Sequence, residues 1–251
     1  MPTESTDRPT YVIFGAYGGV GSALARRLAA RDAQLVLSGR DDEALGALAD
    51  ELGAAARPLD ATELDGVSDL LKEAREEFGP LTGVANCVGS LLLKPAHMTR
   101  TQEWEHTLTT NLGSAFAVLR GAAGVMSKQD DGGSIVLVST AAARIGLPNH
   151  EAIAAAKGGI DALARSAAAT YGRFGIRVNS VAPGLVATPM TERITSSDRA
   201  RANSEAMHAL GRVGKADEVA RAIEWLLSPE SGWITGQTMG VDGGLGTVRS
   251  A

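Results

Sequence analysis

Short apolar runs alternate along this chain with longer segments in which apolar residues recur every three or four positions. The short runs predict buried strands over residues 11–14, 35–37, 83–85, 135–138 and 177–181. Because these strands lack a strict apolar–polar alternation, they indicate a sheet that is covered on both faces. The longer segments predict helices, the clearest of which lie over residues 20–30, 42–52 and 64–78.

This order of elements predicts an α/β fold with crossover helices and a Rossmann-type, doubly wound parallel sheet. A chain of 251 residues with 44% hydrophobic content can form this fold as a single domain. We assign residues 10–251 to that domain and the polar residues 1–9 to a flexible tail. Residues 188–215 are polar and punctuated by charge, and they form either a mobile lid over a site or a pair of ordinary surface helices.

The composition narrows the classes of partner. The net charge is −5, with lysines and arginines scattered among acids, which argues against binding to nucleic acid or to a membrane surface and favours a small molecule. No apolar run reaches the roughly 18 residues of a membrane span. The single cysteine, Cys87, excludes an intramolecular disulfide, and no residue spacing indicates a metal site. We therefore expect a cytoplasmic protein without a bound metal.

A glycine-rich turn follows the first predicted strand and precedes an alanine-rich helix: Gly15-Ala16-Tyr17-Gly18-Gly19-Val20-Gly21. Glycine lets the backbone turn sharply and approach a pyrophosphate, whose charge then faces the free amides of the helix N-terminus. Glycines alone are weak support, because they also permit close packing of a helix on a strand. Between a strand and a helix, however, this segment predicts a dinucleotide-binding site.

Further motifs follow this turn along the chain. From residue 10 to residue 244, the chain resembles the short-chain dehydrogenase/reductase family. Gly15, Gly19 and Gly21 match the family's glycine motif, although its leading threonine is Phe14 here. The resemblance implies a dinucleotide cofactor and a homotetramer or homodimer. It implies further that Asp60 contacts adenine, that Asn111 helps to hold a catalytic water, and that the remaining matched residues bind the cofactor: Asn86, Gly89, Lys157, Pro183, Gly184 and Thr188.

The end of the second strand should decide which dinucleotide binds. An acid at the position of Gly39 would hold the ribose hydroxyls of NAD and repel a 2′-phosphate, and Gly39 removes that repulsion. Arg40 offers a guanidinium suited to phosphate, so we expect NADP(H). NAD stays open, because Arg40 can instead stack on adenine or be solvated, and because Asp41 and Asp42 weaken the positive field.

The catalytic segment departs from the family pattern. Typical members bind the substrate carbonyl with a serine and a tyrosine, and a lysine lies four residues after the tyrosine. Counted back from Lys157, the tyrosine position holds Ile153 and the serine position holds Thr140. Thr140 can still donate to an oxyanion, whereas an isoleucine can neither give nor take a proton. We expect Lys157 to hold the nicotinamide ribose, and Thr140 and Ile153 to contact the substrate.

His150, seven residues before Lys157, is the candidate for the missing proton donor and for a substrate contact. The spacing is similar to that of the enoyl-acyl-carrier-protein reductase branch of the superfamily, where a tyrosine stands at this position. Histidine has an intrinsic pKa near neutrality, so its imidazolium can protonate an alkoxide or an enolate. The alternative is a helix-entry residue whose ring is solvated or holds the loop. Glu151 is expected to be a first-turn acid rather than a catalyst.

The remaining candidate groups have simpler interpretations. Cys87 is expected to be a small core residue rather than a thiol donor, and His97 to be exposed rather than to face substrate. His106 and His208 lie in charged helical stretches and are expected to be solvated.

Taken together, the residues predict an NADPH-dependent oxidoreductase that transfers hydride to a ketone, an imine or a conjugated C=C bond, with a proton donor other than tyrosine. The alternative is a dinucleotide-binding protein without redox activity, acting as a non-redox catalyst, a sensor or a partner subunit.

Overall fold

The computed structural model describes residues 8–248. Residues 1–7 of the expected tail and the last three residues of the expected domain lie outside the described residues. The two described tail residues contact the body of the protein. The Arg8 guanidinium donates to the Asp32 carbonyl (2.8 Å), and the Pro9 carbonyl accepts a hydrogen bond from the Gln34 amide (2.9 Å).

In the described part of the chain, every strand pairs in parallel with its neighbours. Seven of them form one sheet, and two short strands pair separately. The strands of the sheet, from one edge to the other, are β3 (Ala55–Pro58), β2 (Gln34–Gly39), β1 (Thr10–Phe14), β4 (Leu81–Asn86), β5 (Gly133–Val138), β6 (Ile176–Pro183) and β9 (Thr238–Val241). The short pair is β7 (Val186–Ala187) with β8 (Gly214–Lys215).

Helices connect the strands as crossovers on both faces of the sheet. Among residues 8–248, no helix has the length and hydropathy needed to span a bilayer. The helices are α1 (Gly19–Ala29), α2 (Asp42–Leu52), α3 (Leu64–Phe78), α4 (Thr101–Leu108), α5 (Ser114–Met126), α6 (Glu151–Tyr171), α7 (Glu192–Thr195), α8 (Asp198–Met207) and α9 (Ala216–Leu227).

The sheet is buried on both faces, as its apolar runs predict. Val12 and Phe14 of β1 pack with α3, α5 and α6, whereas Tyr11 and Ile13 pack on the opposite side with α1, α2 and α9. Alternate side chains of one strand therefore enter different cores, and each buried apolar side chain contributes roughly 1.5–3 kcal/mol. The predicted doubly wound α/β fold is confirmed.

The strand order fixes where a ligand can bind. The order of strands reverses between β1 and β4, so their connections leave in opposite directions and open a crevice at the carboxyl ends of the strands. The glycine-rich turn lies at this point, directly after β1. Residues 188–215, expected to form either a lid or a pair of surface helices, contain α7 and α8, which border the same crevice.

Candidate active site

The turn after β1 requires glycine at two positions. Gly15 has a φ of +71°, and a Cβ on it would lie 2.8 Å from the Val88 amide nitrogen. A Cβ on Gly21 would overlap the Gly15 carbonyl oxygen, so α1 begins directly against the turn. No side chain caps the first amides of α1. The turn is thus a cradle of backbone with an uncapped helix N-terminus, and it fits the pyrophosphate of a dinucleotide.

The end of β2 holds the residues that were expected at the adenine and its ribose. Gly39 packs under the ring of Tyr17, and a Cβ on Gly39 would overlap that ring. The Arg40 guanidinium is mostly exposed and lies 3.7 Å from a carboxylate oxygen of Asp60. Burial acts to raise the pKa of Asp60, but hydrogen bonds from Thr62 and the charge of Arg40 lower it overall. Asp60 is therefore a carboxylate held in place, and Arg40 is loosely paired.

A cleft of about 510 Å³ opens between the glycine turn, the loops that follow β4, β5 and β6, and the segment with α7 and α8. It brings together most of the predicted site residues. Six predicted residues do not line it, because they belong to the turn and the start of α1, to the ends of β2 and β3, and to the core under β4: Gly15, Tyr17, Gly21, Arg40, Asp60 and Asn86. The predicted residues that line the cleft are Gly18, Gly19, Val20, Gly89, Asn111, Thr140, His150, Ile153, Lys157, Pro183, Gly184 and Thr188.

Lys157 is a buried amine on α6. Its Nζ donates to the Val138 carbonyl (2.7 Å) at the end of β5. Burial lowers the pKa of Lys157 from 10.5 to about 8, against the smaller opposing effects of Cys87 and Asp161. Burial likewise raises the pKa of the neighbouring Cys87 to about 12. At neutral pH the cleft thus contains an ammonium group beside an uncharged thiol.

Asn111 lies in a π-helical turn, Thr109–Gly113, between α4 and α5. Its Oδ1 accepts a hydrogen bond from the Ser90 amide (3.1 Å), and its Nδ2 donates to Ser90 Oγ (3.0 Å) and the Thr107 carbonyl (2.9 Å). The side chain therefore fastens the loop after β4 to the helices. Sequence reasoning missed Ser90, and its only signal was a polar residue directly after the Gly89 motif position.

Thr140 and Ser139 have different surroundings at the end of β5. The Ser139 hydroxyl donates to the Lys157 carbonyl (3.2 Å) and so holds α6. Thr140 Oγ1 accepts a weak hydrogen bond from the Ala142 amide (3.3 Å). That bond uses a lone pair of Thr140, so its hydroxyl proton can be donated to a substrate oxygen in the cleft.

His150 occupies the N-cap position of α6 without a side-chain capping hydrogen bond, and Ile153 is the third residue of the helix. His150 Nδ1 lies 2.7 Å from the Pro148 carbonyl, which can only accept, so Nδ1 carries a proton and Nε2 is the nitrogen left for a ligand. Asn149 precedes it with a φ of +64°, and its carbonyl accepts from the Lys94 amide (2.8 Å). Ile153 is almost fully buried and forms part of the cleft wall.

The expectation that His208 is solvated is wrong. Its ring is buried, with Nδ1 donating to the Ser204 carbonyl (2.6 Å) and Nε2 accepting from the Leu185 amide (3.2 Å). The ring fits because Gly184 has no side chain there: a Cβ would overlap it. Although the surrounding helical sequence is charged, the His208 imidazole faces inward and joins α8 to the loop after β6.

The other predicted polar groups have simpler surroundings. His97 and His106 are exposed, as predicted. Cys87 is partly buried, packs on the core between α1, α2 and α9, and also borders the cleft. Among residues 8–248, no group of three or more histidine, cysteine or acidic side chains is placed to hold a metal ion.

A doubly wound parallel sheet with a glycine-rich turn at its switch point defines a Rossmann-type α/β protein. A family model described as "Enoyl-(Acyl carrier protein) reductase" matches residues 15–246. Since that match covers most of the chain, the protein belongs to the short-chain dehydrogenase/reductase family.

Individual relatives agree with this assignment. The 3-oxoacyl-[acyl-carrier-protein] reductase FabG of Escherichia coli is 33% identical over 236 residues, covering 93% of this chain and 96% of the relative. The short-chain reductase protein NovJ of Streptomyces niveus is 35% identical over 243 residues, covering 93% and 92%. A solved structure of a short-chain type dehydrogenase/reductase from Mycobacterium ulcerans has a TM-score of 0.92 at 29% identity, covering 96% of this chain and 91% of that chain.

Proposed function

We propose that this protein is an NADPH-dependent oxidoreductase that transfers hydride to a small unsaturated acceptor and uses a proton donor other than tyrosine. The observation that carries the proposal is the single cleft in which the glycine turn meets Thr140, His150 and Lys157. The relatives, which are reductases and dehydrogenases by name, support an oxidoreductase.

The residues at the cofactor end are suited to NADPH. The backbone of the glycine turn would hold the pyrophosphate, Asp60 would lie at the adenine and Lys157 at the nicotinamide ribose, with Asn86, Gly89, Pro183, Gly184 and Thr188 completing the site. The bound cofactor supplies the hydride. Arg40 is exposed and only loosely paired, so it is free to bind a 2′-phosphate. Tyr17 occupies the space that an acid at position 39 would need, which further favours NADPH over NADH.

At the acceptor end, three side chains have distinct tasks. The Thr140 hydroxyl donates a hydrogen bond to the acceptor atom that gains charge. His150, whose Nδ1 is committed to Pro148, delivers a proton through Nε2. The buried Lys157 ammonium stabilises developing negative charge. Ile153 replaces the usual acid with an apolar wall and so leaves the proton transfer to His150.

The buried Ile153 also favours a second function, a dinucleotide-binding protein without redox activity. To separate the two, purified protein is mixed with NADPH and a panel of ketones, enones and cyclic imines while cofactor absorbance is followed. We expect acceptor-dependent oxidation of NADPH. Tight NADPH binding without oxidation by any acceptor would favour the non-redox function.

The role of His150 is tested by substitution. His150→Ala should lower kcat by about 10²- to 10⁴-fold, the range typical of a lost general acid. His97→Ala is the matched control, since His97 is exposed and does not line the cleft. Unchanged activity of His150→Ala across the pH range would remove His150 from the mechanism. Ile153→Tyr should add ordinary ketone reduction if the remaining groups are competent.

A further inference from the structure

His208 is one of two buried residues that hold α8 to the body of the protein. Among residues 198–208, only Ser204 and His208 are buried, and the rest of this segment is exposed or half-buried. The two are joined to each other, because His208 Nδ1 donates to the Ser204 carbonyl (2.6 Å). A helix that buries so little surface is held by few contacts, so each contact strongly affects how often the helix detaches.

The second ring nitrogen of His208 fastens α8 to another wall of the cleft. His208 Nε2 accepts a hydrogen bond from the amide of Leu185, which lines the cleft after β6. From Leu185 the chain continues to Thr188, whose side chain lies so close to the glycine turn that a Cβ on Gly19 would overlap it. The imidazole thus joins α8 to a segment that reaches the proposed cofactor site.

This arrangement requires a neutral ring. Nδ1 must carry a proton because a carbonyl can only accept, and Nε2 must keep its lone pair because an amide can only donate. A proton on Nε2 would set two N–H groups against each other, so the imidazolium and the contact with Leu185 exclude one another. A proton therefore binds to the open form of this contact and favours that form as the pH falls.

The charged groups around the ring do not compensate for an imidazolium. The charged side chains on the elements that border the ring are Asp198, Arg199, Arg201 and Glu205 of α8, Arg212, Lys215 and Glu218 around the start of α9, and Asp242 after β9. Glu205 and Glu218 are each paired with an arginine (2.9 and 2.6 Å), and Asp242 accepts from two backbone amides of its own loop (both 2.9 Å). Asp198 lies at the other end of α8. In the described part of the chain, no ion pair or hydrogen bond joins the His208 ring to any of these side chains, so a proton on the ring gains no partner in the closed form.

We infer that His208 is a positioning residue that holds α8 over the cleft while its imidazole is neutral and releases α8 when the imidazole takes up a proton. The inference goes beyond the proposed function, because it concerns access to the cleft and not the acceptor that is reduced. A solvated histidine titrates at about pH 6.5, so the population of the open form should increase about tenfold from about pH 7.5 to about pH 5.5.

Hydrogen–deuterium exchange tests the inference on the protein without a ligand. Exchange of the Leu185 amide and of the α8 amides is followed by mass spectrometry at both pH values, and each rate is compared with that of an unstructured chain at the same pH. The resulting protection should fall about tenfold from the higher to the lower pH, whereas the protection of α2, which contains no histidine, should stay constant. Protection of Leu185 that does not change with pH would overturn the inference.

A substitution separates the charge of the ring from its packing. His208→Gln keeps one donor and one acceptor but cannot take up a proton. In this variant the protection should become independent of pH, whereas in His97→Gln, which changes an exposed histidine, it should fall as in the wild type. A pH dependence that persists in His208→Gln, or that disappears in His97→Gln, would contradict the role of His208. The wild-type series decides by itself if His208→Gln does not fold.

Release of the cofactor gives a second measurement. The dissociation rate constant of NADPH, measured by stopped-flow fluorescence, should rise more steeply with falling pH in the wild type than in His208→Gln, because α8 lines the cleft that the cofactor leaves. The same pH dependence in the two proteins would show that the His208 contact does not control access and would overturn the inference. If NADPH does not bind at all, the proposed function fails, whereas the exchange experiment still decides the inference about His208.

Discussion

Lys157 makes the stability of this protein depend on pH in a way that can be calculated from its surroundings. Burial lowers its pKa from 10.5 to about 8. When the pKa of a lysine is lower in the folded than in the unfolded protein, the folded protein is most stable above the unfolded-state pKa. That stability is lost as the pH falls through the folded-state pKa. In the wild-type protein, the buried ammonium thus opposes folding at neutral pH, and the opposition fades between about pH 8 and pH 10.5.

The size of this effect follows from the two pKa values. The decrease in pKa from 10.5 to about 8 destabilises the folded protein by about 3 kcal/mol at pH 7. By pH 9.5, about 2 kcal/mol of this destabilisation has disappeared. Lys157→Met removes the charge and keeps an unbranched side chain. It also removes the hydrogen bond to Val138, which costs roughly 1.5–3 kcal/mol at every pH. At pH 7 the stability gained by removing the buried charge nearly equals the stability lost with the hydrogen bond. Only the pH dependence of the unfolding free energy therefore tests the effect of the charge.

The assay is urea unfolding of both proteins at pH 7 and pH 9.5. The wild type should gain about 2 kcal/mol relative to Lys157→Met between these pH values. Cys87, whose pKa is raised to about 12, adds stability below the pKa of the free thiol and loses it as the pH rises, which opposes the effect of Lys157. Both proteins retain Cys87, and a Cys87→Ala background checks that its influence cancels. A difference in unfolding free energy that stays constant with pH would refute the argument that Lys157 is a buried, destabilised ammonium.

Three further predictions concern the cofactor site and the segment around α8. Arg40→Ala should raise the KM for NADPH about tenfold and leave that for NADH nearly unchanged; equal effects in steady-state kinetics would remove Arg40 from 2′-phosphate binding. Gly21→Ala should abolish NADPH binding, measured by fluorescence titration, because its Cβ overlaps the turn; Gly46→Ala, where a Cβ meets nothing within 4 Å, should bind normally. His208→Ala should lower the free energy of unfolding by about 1–3 kcal/mol, because it leaves the partly buried Leu185 amide without its acceptor, whereas the exposed His97→Ala should not. Equal urea midpoints for these two variants would contradict the contact between His208 and Leu185.

The elements that the sequence predicted well are those with a strong local signal. The helices over 42–52 and 64–78 have the predicted bounds, and α1 is displaced by one residue. All five predicted strands are present. The short apolar runs did not reveal β3 and β9, because their residues are only partly buried at the two edges of the sheet and carry little apolar signal.

The pattern of residues along the chain was sufficient to determine the α/β fold, the glycine turn, the family and the absence of a tyrosine four residues before Lys157. Local periodicity and motif spacing carry that information. Only the tertiary structure decided the burial of His208, the packing of Tyr17 on Gly39 and the joining of Asn111 to Ser90, since each depends on residues from separate elements that meet only after the sheet is wound. The same holds for the cleft that contains Thr140, His150 and Lys157, because its lining residues come from separate segments of the chain that converge only in the folded protein.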